Sequence, residues 1–189
     1  RYNLAATGNK YYGYFGGGGS APIFSTVDRI DYLNDTVTAS PKGPLSLARY
    51  NLAATGNASF GYFGGGRTPS TLSTVDRLDY SNDTATASPK GPLSSAGFLL
   101  AATGNTSYGY FGAGNIVSTV DRIDYSNDTA TASPKGPLSS ARSRLAATGN
   151  SSFGYFGGGD FSPTRSTVDR IDYSNDTATA PTKGPLSLA

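Results

Sequence analysis

The 189-residue sequence contains no cysteine, methionine, tryptophan or histidine. Without cysteine there can be no disulfide, no thiolate nucleophile and no cysteine-based metal site. Without histidine the usual general base, which is also the commonest metal ligand, is missing. Glutamate and glutamine are absent too, so every acid is an aspartate and every amide an asparagine. Both favour turns over helix interiors, and a helical protein is not expected. No charge of one sign accumulates: 15 Lys and Arg alternate with 13 acids, for a net charge of +2. The basic patch of a nucleic-acid partner is lacking. No apolar run approaches the ~20 residues of a membrane span. No signal peptide is visible, and the chain opens in mid-pattern. No cofactor and no metal are expected.

What is abundant is glycine (25), tyrosine (13) and phenylalanine (9), arranged in a repeat. Four copies run over 1–48, 49–96, 97–141 and 142–189. The second copy shows the plan. The short run Leu52 to Thr55 is followed by a Gly56-Asn57 turn signal. An aromatic run, Phe60 to Phe63, ends in three glycines. After a stretch that differs between copies, Ser73 to Tyr80 is the longest strand candidate. A second turn signal, Ser81-Asn82-Asp83, precedes a fourth strand candidate, Thr84 to Ala87. The Pro89 to Leu93 segment is expected to be loop, since proline lacks the ladder donor. Four short strands per copy, separated by turn residues, match the blade of an all-β propeller. The small first strand suits a crowded channel. The aromatic second strand suits the space between blades.

The repeat resembles the kelch family. The resemblance rests on Tyr62-Phe63-Gly64-Gly65 with Asp79-Tyr80, on Tyr14-Phe15-Gly16-Gly17 with Asp31-Tyr32, on Tyr155-Phe156-Gly157-Gly158 with Asp172-Tyr173, and on Arg49 opening a copy. It extends over the whole chain and implies a kelch-like β-propeller of four-stranded antiparallel blades. It departs from the family in the missing fourth-strand tryptophan and in Gly112-Ala113 of copy three. Four copies leave three arrangements open: a closed four-bladed ring, part of a longer array, or assembly between chains.

Antiparallel order places the first-to-second and third-to-fourth turns on one face and the remaining loops on the other. The second-to-third loops differ most between copies. Their candidate binding residues are Ile23, Phe24, Arg67, Thr68, Leu72, Asn115, Ile116, Asp160, Phe161 and Arg165. A fixed scaffold with divergent loops on one face is a common way to build a binding protein, although loops also drift without function. The opposite face carries seven sequons, at Asn34, Asn57, Asn82, Asn105, Asn127, Asn150 and Asn175. Asparagine is also a plain turn residue there.

Asp28-Arg29, Asp76-Arg77, Asp121-Arg122 and Asp169-Arg170 recur in every copy and are expected to form a structural network. Two aspartates three apart on a strand point to opposite faces, so they make a poor catalytic pair. The glycine runs lack the lysine and the helix of a phosphate loop. The Asn-Asp turns match no calcium loop. These features lead to the expectation of a non-enzymatic binding or adhesion module for a protein or glycan, in an extracellular or virion-surface setting. The alternative is a structural subunit of a fibre, appendage or virion that partners copies of itself. A propeller glycosidase is a remote third.

Overall fold

The computed structural model describes residues 1–160 and 163–188. Each repeat forms one antiparallel sheet with its strands in chain order. Copy one contributes β1 (Ala5–Gly8), β2 (Tyr12–Gly16), β3 (Val27–Asp31) and β4 (Ser40–Lys42). Copy two contributes β5 (Ala53–Gly56), β6 (Phe60–Gly64), β7 (Val75–Asp79) and β8 (Ser88–Lys90). Copy three gives β9 (Ala101–Gly104), β10 (Tyr108–Gly112), β11 (Val120–Asp124) and β12 (Ser133–Lys135). Copy four gives β13 (Ala146–Gly149), β14 (Phe153–Gly157), β15 (Val168–Asp172) and β16 (Thr182–Lys183). The first strand of each sheet lies innermost, with β5 beside β1, β9 beside β5 and β13 beside β9. The fold is a four-bladed β-propeller, as the repeat pattern predicts.

The fourth strand is not where residue propensity puts it. Thr84 to Ala87 lies in a turn, and the strand is Ser88–Lys90, with Pro89 opposite Asp76. β8 is the outer edge of its blade, where a missing N–H removes no ladder bond. A short edge strand carrying proline also discourages edge-to-edge pairing.

Strand alternation sorts the core. On β7, Val75 and Arg77 face the following blade, while Asp76 and Leu78 face the preceding one. Leu78 and Phe63 pack with Tyr14, Val27 and Leu45 of blade 1. Tyr62 and Val75 pack with Phe111 and Ile123 of blade 3. Tyr110 and Val120 of blade 3 pack with Phe156 and Ile171 of blade 4. The core is therefore three apolar seams between blades rather than one central cluster. Among the described residues no apolar cluster, hydrogen bond or ion pair joins blade 4 to blade 1.

Glycine makes the close approach possible. A methyl group on Gly64 would lie 2.6 Å from the Phe111 ring. The doublet that follows adopts φ of 65° at Gly65 and 95° at Gly66, a region open to glycine at little cost. Its Gly66 amide then donates to Gly97 O of the next repeat. In copy three Ala113 takes the first of these positions at φ 56°. Near the axis, Asn3, Asn51, Leu99 and Arg144 also have φ of 56–60°, and each of the last three donates its amide to the carbonyl of the one before.

Candidate functional site

Each closed seam carries one polar cluster built by both blades. Asp128 is buried, and it accepts from Tyr62 Oη at 2.9 Å and from Arg77 Nη1 at 2.7 Å. Lys90 Nζ lies 3.6 Å from its other oxygen. Asp83 receives Tyr14, Arg29 and Lys42 in the same way, and Asp176 receives Tyr110, Arg122 and Lys135. Burial and the neighbouring carboxylate together push the phenols of Tyr14, Tyr62 and Tyr110 well above the ordinary tyrosine value. The same rings stack on Tyr80, Tyr125 and Tyr173 of the next blade, with centroids 4.7–4.8 Å apart. In each of these clusters the single carboxylate is bound by an arginine and a lysine of the preceding blade.

The adjacent residues of the recurrent Asp-Arg pairs do not bind each other. Arg29, Arg77 and Arg122 reach forward to the next blade's Asp83, Asp128 and Asp176. Those three aspartates sit inside the Asn-Asp-Thr sequons, a context that disguises them as turn residues. Their signal in the sequence is recurrence in every copy. Among the described residues no aspartate pairs with Arg170 of blade 4, and its guanidinium lies over the Phe153 ring at 4.4 Å.

Asp28, Asp76 and Asp169 instead take the arginine that opens their own copy. Arg49 Nη1 binds Asp76 at 2.9 Å and its Nη2 donates to Phe63 O at 3.0 Å. Arg142 binds Asp169 at 2.6 Å, and also donates to Phe156 O and Thr167 O. Arg1 does the same with Asp28, Phe15 O and Thr26 O. Both side chains of the Arg49–Asp76 and Arg142–Asp169 pairs are fully buried. The preceding copy adds a serine: Ser46 donates to Asp76, and Ser139 to Asp169. Sequence reasoning missed these serines, although Pro-Leu-Ser ends the motif in all four copies.

The divergent loops lie together on the face opposite the sequons. Asn115 and Ile116 are exposed, while Ile23, Phe24, Arg67, Thr68, Leu72, Asp160 and Arg165 are half-buried. Phe161 lies outside the described residues. Part of this set does structural work. The carbonyls of Phe24 and Leu72 accept the amides that open the next repeats, at Arg49 and Gly97. The Arg67 guanidinium lies over the Phe98 ring. Asp160 accepts from Ser143 and pairs with Arg144. Asn115 and Ile116, at φ of 52° and 58°, are exposed, and the Asn115 amide donates to Phe98 O.

On the sequon face, Asn34, Asn82, Asn127, Asn150 and Asn175 are exposed, and Asn57 and Asn105 are half-buried. Asn57, Asn105 and Asn150 each accept two backbone amides through Oδ1 and so build their turns. Among the described residues no helix is long and apolar enough to cross a membrane.

The fold and these seams define a repeat β-propeller with one variable loop face. No protein-family model matches the chain, and no curated protein matches it.

Proposed function

We propose that this propeller is a non-enzymatic binding module, kelch-like in its repeat, which takes a protein or glycan ligand on the face of the second-to-third loops. One observation carries this reading. At the three closed seams Arg29, Arg77 and Arg122 are engaged by aspartates of the next blade, whereas the second-to-third loops, which differ most between copies, gather on one face. Rigid scaffold and variable loops are the usual division of labour in a binding protein. The test is to screen the protein on a glycan array and against extracellular protein panels, then to exchange loop 160–165 for loop 67–72. The reading expects the binding profile to be lost or redirected. An unchanged profile removes it.

A second reading, a structural subunit of an extracellular fibre, appendage or virion, is favoured by the end faces. Blade 4 presents a hollow of about 210 Å³ lined by Ala146, Tyr155, Gly157, Val168 and Leu186. At the closed seams the equivalent glycines Gly16, Gly64 and Gly112 meet the next blade's Phe63, Phe111 and Phe156. Blade 1 offers the matching half-buried Phe15 and the exposed Asp35. Such ends suit head-to-tail addition of further copies. Analytical ultracentrifugation and negative-stain imaging test it: filaments that Phe15→Arg disperses support the reading, and concentration-independent single particles remove it. Either reading places the chain outside the cell, where the sequons would be used. A native intact mass equal to the bare chain would exclude glycosylation.

A further inference from the structure

The propeller has three arginine sites of one design and a fourth from which the arginine is missing. Gly97 opens copy three where Arg1, Arg49 and Arg142 open the others. The backbone there is unchanged. Gly97 donates its amide to Leu72 O, as Arg49 does to Phe24 O and Arg142 to Val117 O. The carboxylate is unchanged too. Asp121 is 5% exposed and keeps the serine contacts of its counterparts, Ser94 N at 2.8 Å and Ser94 Oγ at 2.6 Å. Among the described residues no cation reaches it. A cavity of about 270 Å³ lies in the place of the side chain, lined by Gly97, Leu100, Phe111, Thr119 and Asp121, with exposed Asn115 and Val117 at its rim.

We infer that this cavity binds a guanidinium group on a short aliphatic stem, carried either by a small molecule or by an arginine side chain of a peptide. Its acceptors are those that hold arginine elsewhere in this protein. In the Arg1 and Arg142 sites the guanidinium meets one carboxylate, half-buried at Asp28 and buried at Asp169, and the carbonyls of the residues equivalent to Phe111 and Thr119, while Arg49 meets buried Asp76 and the first of these two carbonyls. Charge-assisted contacts of this kind are among the stronger hydrogen bonds. The planar fork of a guanidinium spreads five donors in a fixed geometry that matches acceptors set apart in one plane, whereas an ammonium gathers its three donors on a single compact nitrogen. The volume is ample, since ~150 Å³ suffices for a benzene-sized guest. Burial raises the Asp121 pKa, an effect the Ser94 hydrogen bonds only partly offset. A bound cation favours the charged form of that carboxylate and offsets part of its burial cost. The site stands apart from the loop-face reading, because its acceptors belong to the seam.

Titration calorimetry with ethylguanidinium, ethylammonium and an arginine-containing tripeptide at matched ionic strength tests the inference. Amide chemical shifts of Ser94 and Gly97 report the location. One saturable ethylguanidinium site is expected, with ethylammonium roughly tenfold weaker or more, which corresponds to at least one lost charge-assisted bond. Tighter binding of the tripeptide identifies a polypeptide as the source, and exclusion of the tripeptide identifies a small molecule. Gly97→Arg restores the sister sequence and should abolish binding while raising stability. Asp121→Asn should also abolish it. Arg49→Gly should create a second equivalent site, with stoichiometry rising from one to two. Absence of saturable binding in the unmodified protein, or undiminished binding by Gly97→Arg, overturns the inference.

Discussion

The seam between blades 2 and 3 and the outer face of blade 4 are made from nearly the same residues and end in opposite states. In the seam, Tyr62, Arg77 and Lys90 converge on Asp128 of the next blade, and Phe111 presses against Gly64. On blade 4 the equivalents are Tyr155, Arg170, Lys183 and Gly157. Among the described residues no aspartate meets them, and the space at Gly157 is open to 3.5 Å or more. A blade's sequence thus supplies only half of each interaction. Its neighbour decides whether the half becomes stability or exposed surface, which is the nearest-neighbour logic of repeat proteins.

The comparison is broken most severely at the carboxylates. Asp128→Ala leaves two half-buried cationic partners and a buried phenol without their acceptor. Breaking a fully buried pair from one side costs about 3–5 kcal/mol, and water reaching Arg77 and Lys90 puts this variant near ~3 kcal/mol. Asp35→Ala, at the matching exposed position on blade 1, should stay within ~0.5 kcal/mol. Urea denaturation of both variants reads the difference directly. Equal effects would mean that the seam cluster contributes nothing.

Alkaline pH is the next lever. Burial raises the Tyr80 pKa in the closed blade 1–2 seam to about 12. In the unfolded chain it ionises near the ordinary value of ~10. Its contribution is therefore complete below pH ~10 and is lost as the pH climbs through the folded-state pKa, because the unfolded state releases the proton first. The expected loss is on the order of 2–3 kcal/mol by pH 12 for this residue. Tyr80→Phe should flatten the decline in denaturation midpoints measured from pH 9 to 12.

Much of this was legible beforehand, for identifiable reasons. The aromatic second strand marked the filling between blades, and Tyr62 and Phe63 do pack into the seams on either side of blade 2. The fourth strand was not legible. The β-branched run at Thr84 outscores Ser88-Pro89-Lys90 on propensity, yet the edge position makes proline's lost donor harmless. Asp83, Asp128 and Asp176 hid in sequons, because a turn aspartate and a seam aspartate have the same local sequence. The open seam could not be read at all, since every copy encodes the same two half-faces. Position 97 was different. The missing arginine is visible by aligning the copies, but its meaning needed Asp121 and its cavity.

A smaller effect is expected at the glycines that face a phenylalanine. Gly64→Ala would place a methyl 2.6 Å from the Phe111 ring, whereas the nearest atom to a methyl at Gly157 is 3.5 Å away on Val168. Overpacking of a filled seam costs typically 1–3 kcal/mol. Gly64→Ala should lower the unfolding free energy by that amount in urea denaturation, and Gly157→Ala should leave it nearly unchanged. If Gly157→Ala is equally harmful in solution, the blade 4 face is covered there.

The smallest effect gives the sharpest comparison. Tyr62 and Tyr125 stack at 4.7 Å across a closed seam, with planes 12° apart. A double-mutant cycle with Tyr62→Leu and Tyr125→Leu should return a coupling of about 0.5–1.5 kcal/mol. The same cycle on Tyr155 and Tyr32, the corresponding rings on the two end faces, should return zero when each chain stands alone. Run as a function of protein concentration, it becomes an assay of the open seam. A Tyr155–Tyr32 coupling that rises toward the Tyr62–Tyr125 value on concentration means blade 4 of one molecule has met blade 1 of another. A coupling already present at high dilution means the seam closes within one chain. A coupling of zero at every concentration means the two half-faces never meet, and the structural-subunit reading falls with it.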